Sequence, residues 1–226
     1  MIEYQSFIYL LFPITVSYIF YTKWVGEYKL IPYAVARMFI QLFLIGFLLV
    51  YIFKSQNYLL IVLVLSVMIV VASFISTRVV KKRSLKILFY AFLSIFLAWI
   101  VEISIISHLV LHIKPWYNPT YIIPLSGMIL AVCMNAISLA SERFEKEMVE
   151  GNYEVSRKDA LKTALIPVIN SLFAVGLVTL PGLMTGQILS GVDPIIAVKY
   201  QIAVMLMLFG GAGLSSVIYL RLLGRF

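Results

Sequence analysis

The side chains that could do chemistry in this sequence are concentrated in one apolar stretch, residues 163–190. About 28 residues are enough to cross a bilayer core of roughly 30 Å at about 1.5 Å per residue. Pro181 and Gly182 interrupt the stretch, and because proline removes a backbone donor we expect the helix to kink or open near residues 177–182. Polar side chains lie along the stretch at Asn170, Ser171, Thr179 and Gln187.

The oxygen atoms of this stretch suggest a route for a cation. Side-chain oxygens and loosened backbone carbonyls can replace part of a cation's water shell, and irregular backbone survives in a membrane mainly beside a cavity. The predicted substrate pathway consists of Asn135, Asn170, Ser171, Thr179, Pro181, Gly182 and Gln187. One chain shows no full coordination set, so either a second copy completes it in a homodimer or the cargo is not a bare ion. Clustered thiolates are absent, which argues against a soft-metal site.

The elements that must position these residues are membrane helices. Hydrophobic residues make up 62% of the chain and charged residues 12%, whereas soluble domains carry about 25% charged residues. We predict an all-α polytopic membrane protein with one integral domain, residues 1–226, and about seven transmembrane helices. The predicted spans are residues 5–22, 32–53, 58–76, 84–108, 121–141, 163–190 and 195–221.

The basic residues predict the orientation of these spans. With seven spans, one set of connections and span ends contains 15 of the 18 Lys and Arg residues, and the other contains only Lys54, Lys114 and Lys199. Basic residues accumulate on the cytoplasmic side of membrane proteins. We therefore expect the N-terminus outside and the C-terminus in the cytoplasm. The same bias accounts for the net charge of +8 without a nucleic-acid partner.

The longest connection, residues 142–162, is predicted to be cytoplasmic and partly helical. Charged pairs four residues apart, such as Glu142 with Lys146, favour a solvated helix that continues beyond the fifth span. Gly151 and Asn152 are a plausible helix stop, and Ser156 with Asp159 resembles a capping box that starts the next helix. The alternative is an ordinary solvated hairpin.

The sequence lacks the residue patterns that common classes of enzyme require. The sequence has no phosphate-binding loop of the form G-x-x-x-x-G-K-S/T, no H-E-x-x-H and no G-x-S-x-G. We predict no catalytic and no metal-ligand residue, and the lone Cys133 is expected to be a small buried side chain. Glu102, about six residues from the outer end of the fourth span, is the one acidic candidate at depth, and its alternative is pairing with a neighbouring helix donor or a place at the outer interface. His108 and His112 are spaced to grip a metal on a helix, although histidines are also ordinary at a membrane interface.

Several segments together resemble a known family. PLSGM at 124–128, MNAISLA at 134–140, ALIPVINS at 164–171, VGLVTLPGLMTGQILSGVDP at 175–194 and AVKYQI at 197–202 are similar to the FetB/YbbM-type family of ABC-transporter permeases. The similarity in order and spacing covers roughly residues 120–205. It implies a permease subunit that pairs with a separate ATP-binding subunit, so the chain itself would bind no ATP and need no cofactor. It also implies export of a metal ion, iron-like, or of a related small solute across the cell inner (plasma) membrane.

The resemblance gives the 142–162 segment a role in contacting the ATPase. The predicted coupling residues are Met148, Gly151, Tyr153, Val155 and Arg157. Within this set, Tyr153 and Val155 are expected to supply the apolar contacts with the ATP-binding subunit. The alternative function is a self-sufficient secondary carrier or channel for ions. Neither substrate identity nor direction of transport follows from the spacing of residues.

Overall fold

The computed structural model describes residues 8–54, 57–81, 83–149 and 152–224, and these residues are organised as helices. The helices are α1 (Ile8–Val25), α2 (Leu30–Lys54), α3 (Tyr58–Ser76), α4 (Leu85–Ser104), a π-helix (Ile105–Val110) that continues α4, α5 (Pro119–Glu147), α6 (Tyr153–Ala174), α7 (Gly182–Leu189) and α8 (Pro194–Leu223). Within the described ranges the only β pairing is one isolated bridge between Val175 and Thr179. The predicted all-helical fold class is confirmed.

The chain divides into two units, and the first, Met1–Ser55, contains α1 and α2. Gly26 follows α1 with a φ of 82°, and its N–H donates to the Thr22 carbonyl at 3.0 Å. A left-handed glycine of this kind is a common helix stop. The Tyr18 hydroxyl donates to the Tyr28 carbonyl at 3.0 Å, which closes the turn between the two helices. No residue of α1 is buried, as expected of a helix whose apolar side chains meet lipid.

The second unit, Gln56–Phe226, contains α3 to α8 and the main core. Its α5 packs against α3, α4, α6 and α8, and α4 also packs against α8. Isoleucine, leucine and alanine side chains of α3, α4 and α5 fill most of this core. A second cluster joins α5, α6 and α8 through the small residues Ala136, Ala140, Ala160, Ala164 and Ala212. Small side chains let membrane helices approach closely where lipid provides no hydrophobic driving force.

Six helices in the described part of the chain are long and apolar enough to cross a membrane. They are α1, α2, α3, α4 with its π-helix, α5 and α8. The stretch 163–190 is not among them, because α6 ends at Ala174 and α7 begins only at Gly182. A single helical crossing over 163–190 is therefore replaced by two helices with an interruption between them.

The connection between α5 and α6 is a helical hairpin whose start differs from the sequence-based expectation. α5 runs to Glu147 and carries exposed ion pairs from Arg143 to Glu147 at 2.8 Å and from Lys146 to Glu142 at 2.7 Å. α6 begins one turn earlier than predicted, because Asn152 is its N-cap and accepts the Glu154 N–H at 2.9 Å. Ser156 is a buried helical residue, so the capping box predicted there is wrong.

Candidate substrate pathway and partner-facing surface

The interruption between α6 and α7 is a compact turn with its own hydrogen bonds. The Ala174 carbonyl accepts the N–H groups of Leu177, Val178 and Thr179 at 3.2, 2.8 and 3.1 Å. Gly176 has a φ of 84°, which side chains other than glycine rarely adopt, and its N–H donates to the Thr179 carbonyl at 3.0 Å. Because these backbone groups are paired locally, such a turn can lie at membrane depth inside a protein.

Proline has a smaller part in this interruption than the sequence suggested. Pro181 lies after the turn, as the N-cap residue of α7, with φ −61° and ψ 145°. Its carbonyl accepts both the N–H and the hydroxyl of Thr185, at 3.0 and 3.2 Å. The left-handed Gly176 therefore ends α6, and Pro181 orients the start of α7.

α6 and α7 both pack against α8. The middle of α6, at Ala164 and Val168, shares a cavity with Leu208 and Ala212 of α8. A second cavity joins the end of α6, the turn and α7 to an earlier part of α8. Its lining is Leu172, Val175, Gly176, Leu180, Met184, Val198, Gln201, Ile202, Met205 and Leu206. α6 thus runs antiparallel to α8, and α7 lies against the earlier part of α8.

Two of the predicted pathway residues share a cavity. Asn135 of α5 and Ser171 of α6 both line a space of about 410 Å³ between α5, α6 and α8. The Ser171 hydroxyl donates to the Pro167 carbonyl at 3.0 Å, so its oxygen keeps capacity to accept. Asn135, Asn170 and Ser171 are exposed on the surface of the chain.

The other predicted pathway residues are not gathered at this cavity. Thr179, Pro181 and Gly182 belong to the interruption and the start of α7, and Thr179 and Gly182 are exposed. Gln187 is half-buried on α7, and its side-chain oxygen is buried without a hydrogen-bond partner among the described residues. The seven residues thus follow the length of the α6–α7 segment and do not form one compact binding site.

Gln201 is a candidate that was not singled out from the sequence. It is 5% exposed on α8, and its Oε1 also lacks a partner within the described part of the chain. It lines the cavity of about 280 Å³ under the interruption, whose other lining residues are almost all apolar. A buried amide oxygen without a donor is costly, so such a group is often part of a binding site. The feature of the sequence that could have identified Gln201 is an amide side chain within the last apolar span.

Tyr153, predicted as a contact for the ATPase, makes its contacts with other residues of this chain. Its hydroxyl donates to the Leu220 carbonyl at 2.8 Å, and its ring lies edge-on to Phe144 with the centroids 5.9 Å apart. The guanidinium of Arg157 lies over the same ring, 5.5 Å from its centroid. Gly224 also meets the ring, and a side chain there would overlap it. Tyr153 therefore anchors the α5–α6 connection to the end of α8.

The remaining coupling residues differ in exposure. Val155 is 52% exposed and Met148 43% exposed. Met148 borders a cavity of about 470 Å³ that Phe144, Tyr153, Tyr219 and other residues line at the ends of α5 and α8. Gly151 lies outside the described residues. Val155 is thus the coupling residue with the most accessible apolar side chain.

The histidine pair does not share a helix face. The π-helix ends at Val110, and His112 follows it with a φ of 52°, so the four-residue helical spacing does not apply. His108 Nδ1 lies 2.8 Å from the Ser107 hydroxyl. The described residues contain no group of three or more His, Cys, Asp or Glu side chains that could hold a metal ion.

Cys133 is buried, as expected, and its thiol donates to the Gly211 carbonyl at 3.2 Å.

Comparison with known proteins places these features in a family. The model of the family described as "Uncharacterised protein family (UPF0014)" matches residues 4–157 and 152–226. A cyanobacterial relative from Synechocystis, "UPF0014 membrane protein slr1647", is 31% identical over 82% of this chain and 78% of its own length. The Escherichia coli protein named "Probable iron export permease protein FetB" is 34% identical over 84% of this chain and 78% of its own length.

A plant relative carries a name that refers to a different metal. The Arabidopsis thaliana "Protein ALUMINUM SENSITIVE 3" is 32% identical over 82% of this chain and 72% of its own length. No solved structure matches the chain. With six apolar helices and membrane proteins among its relatives, the chain is a multi-pass membrane protein.

Proposed function

We propose that this chain, which belongs to the UPF0014 family, is the membrane-spanning permease subunit of an ABC transporter. The relative named as an iron export permease supports transport out of the cell, and the plant relative named for aluminium sensitivity supports a metal ion as cargo. ATP would be bound by a separate subunit, so the chain itself is not an enzyme and uses no cofactor. Its place would be the inner, or plasma, membrane.

The observation that carries this proposal is the exposed polar row along α5 and α6. Asn135, Asn170 and Ser171 lie on the surface of α5 and α6, within their apolar parts and away from the charged end of each helix. Amide groups facing lipid are costly, so polar residues in membrane helices usually face a bundle interior or a water-filled cavity. We propose that a second copy of the chain covers this row and that the two α6–α7 segments enclose a shared route. Oxygen ligands along that route suit a hard cation.

The interrupted segment would complete seven crossings. α6 and α7 both pack against α8, and we propose that together they span the bilayer once. The N-terminus would then lie outside and the C-terminus in the cytoplasm, as the basic residues indicate. A reporter fused after Arg225 should be cytoplasmic, and one inserted near Asn118 should be external. If both report the same side of the membrane, the seven-crossing topology is wrong.

Dependence on a separate ATPase is the property that tests the proposal. The permease and an ATP-binding subunit encoded beside it should co-purify, and ATP hydrolysis in liposomes should rise when the transported metal is added. Uptake or efflux by the permease alone, without the ATPase, would instead identify a secondary carrier. The buried Glu102 is the observation that favours this second candidate, since proton-coupled carriers hold acidic groups inside the bilayer.

Val155 is the residue that we expect to contact the ATPase most directly. Val155→Asp should weaken co-purification and transport, because a charge replaces an exposed apolar side chain at the proposed interface. The thermal stability of the permease should change little, since exposed substitutions usually alter stability by less than about 0.5 kcal/mol. The control is Val79→Asp, an exposed valine between α3 and α4 that lies outside the 142–162 segment. Equal binding by Val155→Asp and the unmodified chain would contradict the assignment.

A further inference from the structure

Glu102 is a buried acidic residue at the interface of α4 and α8. Its residue is 8% exposed, and its carboxyl group lies directly against Gly210. A Cβ added to Gly210 would come within 2.9 Å of the Glu102 Cδ. Glu102 is separated from Leu85 by 17 residues, or about 26 Å of helix, and the π-helix extends α4 beyond it. The carboxyl group therefore lies within the span and far from the end that begins at Leu85.

Trp99 on α4 and the Gly211 carbonyl on α8 are paired, whereas the Glu102 carboxyl group is not paired among the described residues. One turn before it, the Trp99 indole N–H donates to the Ser126 hydroxyl at 3.0 Å. On α8, the Gly211 carbonyl accepts from the Cys133 thiol and the Ser215 hydroxyl, at 3.2 and 2.7 Å. Within the described ranges the Glu102 carboxyl group has neither a hydrogen bond nor an ion pair. The helix pairing considered from the sequence is therefore not observed.

Among the residues that the structure describes, no Lys, Arg or His side chain forms an ion pair with Glu102. From α5 the titratable neighbour is Cys133, whose thiol donates to the carbonyl of Gly211, the residue after Gly210. On the π-helix, His108 is paired with Ser107. The other titratable residues of the surrounding helices lie near helix ends or outside this layer; they are Tyr58 on α3, Lys86 and Tyr90 on α4, Tyr121, Glu142, Arg143, Glu145, Lys146 and Glu147 on α5, and Lys199, Tyr200, Tyr219 and Arg221 on α8. An unpaired carboxylate in such surroundings would be strongly disfavoured relative to the neutral acid.

A single carboxyl group suits a proton better than a metal ion. Metal ions in proteins are usually held by several oxygen, nitrogen or sulfur ligands, and none of the described acidic, histidine or cysteine groups forms such a set. A proton needs only one oxygen. The π-helix begins three residues after Glu102, and π-helical turns frequently occur at functional sites. The backbone next to the carboxyl group is therefore of a kind associated with function.

We propose that Glu102 is a proton-binding site, loaded in this conformation and unloaded during the transport cycle. On release, the O–H bond of the carboxylic acid breaks, its electron pair stays on the carboxylate oxygen, and the proton passes to water that reaches the α4–α8 interface. The loaded state is a property of this chain alone. The release step rests on the proposed function, because it requires a protein that transports.

Infrared spectroscopy of the purified full-length permease in lipid tests the loaded state. At neutral pH the spectrum should contain the carbonyl stretch of a protonated carboxylic acid. That band should be lost in Glu102→Gln and retained in Glu27→Gln, which removes an exposed carboxylate between α1 and α2. A spectrum without the band, or a band that persists in Glu102→Gln, would overturn the proposal whether or not the protein is an ABC permease.

Transport measured over a range of pH tests the release step. The unmodified protein with its ATPase should show a pH-dependent rate, Glu102→Gln should lose that pH dependence, and Glu102→Asp should regain it. The same pH profile in Glu102→Gln and the unmodified protein would overturn the release step. Transport that needs no ATPase would overturn the proposed function instead, and it would leave the infrared result standing.

Discussion

Replacing Tyr153 by Asp should destabilise the permease by about 2–4 kcal/mol, as expected when a packed aromatic side chain is lost. The ring lies between Phe144, Arg157 and Gly224, and the hydroxyl group holds the Leu220 carbonyl near the end of α8. Asp is too short to reach these partners and places a carboxylate beside an aromatic ring. The loss should therefore appear as reduced thermal stability, and uncoupling from the ATPase would be a secondary effect.

Tyr153→Phe separates the hydroxyl group from the ring. It keeps the packing and loses only the hydrogen bond to Leu220, so we expect a cost of about 1 kcal/mol. Thermal unfolding in detergent, followed through tryptophan fluorescence, measures both variants. An unfolding temperature for Tyr153→Asp that equals that of the unmodified protein would show that Tyr153 is free to contact a partner, as the sequence suggested.

Gly210→Ala should also lower stability, by about 1–3 kcal/mol, because it overpacks the α4–α8 interface. The added methyl group would overlap the Glu102 carboxyl group, so this buried side chain would have to move away from Gly210. Gly213→Ala is the matched control on the same helix. A Cβ there meets nothing within 4 Å, so its effect should be neutral or slightly stabilising.

A double variant shows whether the Glu102 carboxyl group is the cause. Combining Gly210→Ala with Glu102→Ala removes the colliding atoms. The double variant should therefore be more stable than the sum of the two single-variant stability losses predicts. Thermal unfolding of the two single variants and the double variant gives the coupling between the sites. Strictly additive effects would contradict the contact between Glu102 and Gly210.

The presence of long apolar helices could be predicted from the sequence, because apolar runs separated by basic connections are strong signals. The break in 163–190 was also anticipated, since Pro181 and Gly182 are visible in the sequence. It was expected near residues 177–182 and lies between Ala174 and Gly182, but its cause was not anticipated, because the turn depends on the positive φ of Gly176 and on the Ala174 carbonyl, which accepts three N–H groups. Conformation at a single glycine leaves no periodic pattern in a sequence.

Side-chain partners across helices were the least predictable feature. Tyr153 reads as an exposed aromatic residue at the start of α6, and only the packing of α6 against α8 shows that it faces Leu220. Gln201 was overlooked for the same reason, since its buried oxygen becomes informative only when the absence of a donor among the described residues is known. Asn135 and Ser171, by contrast, were both proposed from residue type, and they do share a cavity.

Single-cysteine accessibility along residues 170–190 tests the central claim that the α6–α7 segment lines the route. The background is Cys133→Ser, which removes the natural thiol and keeps a donor for the Gly211 carbonyl. Cysteines at Asn170, Ser171 and Gln187 should react with water-soluble thiol reagents, and the extent of reaction should change when the ATPase is supplied with ATP. If no position from 170 to 190 reacts, with or without ATP, the segment does not line the route and the proposed pathway is wrong.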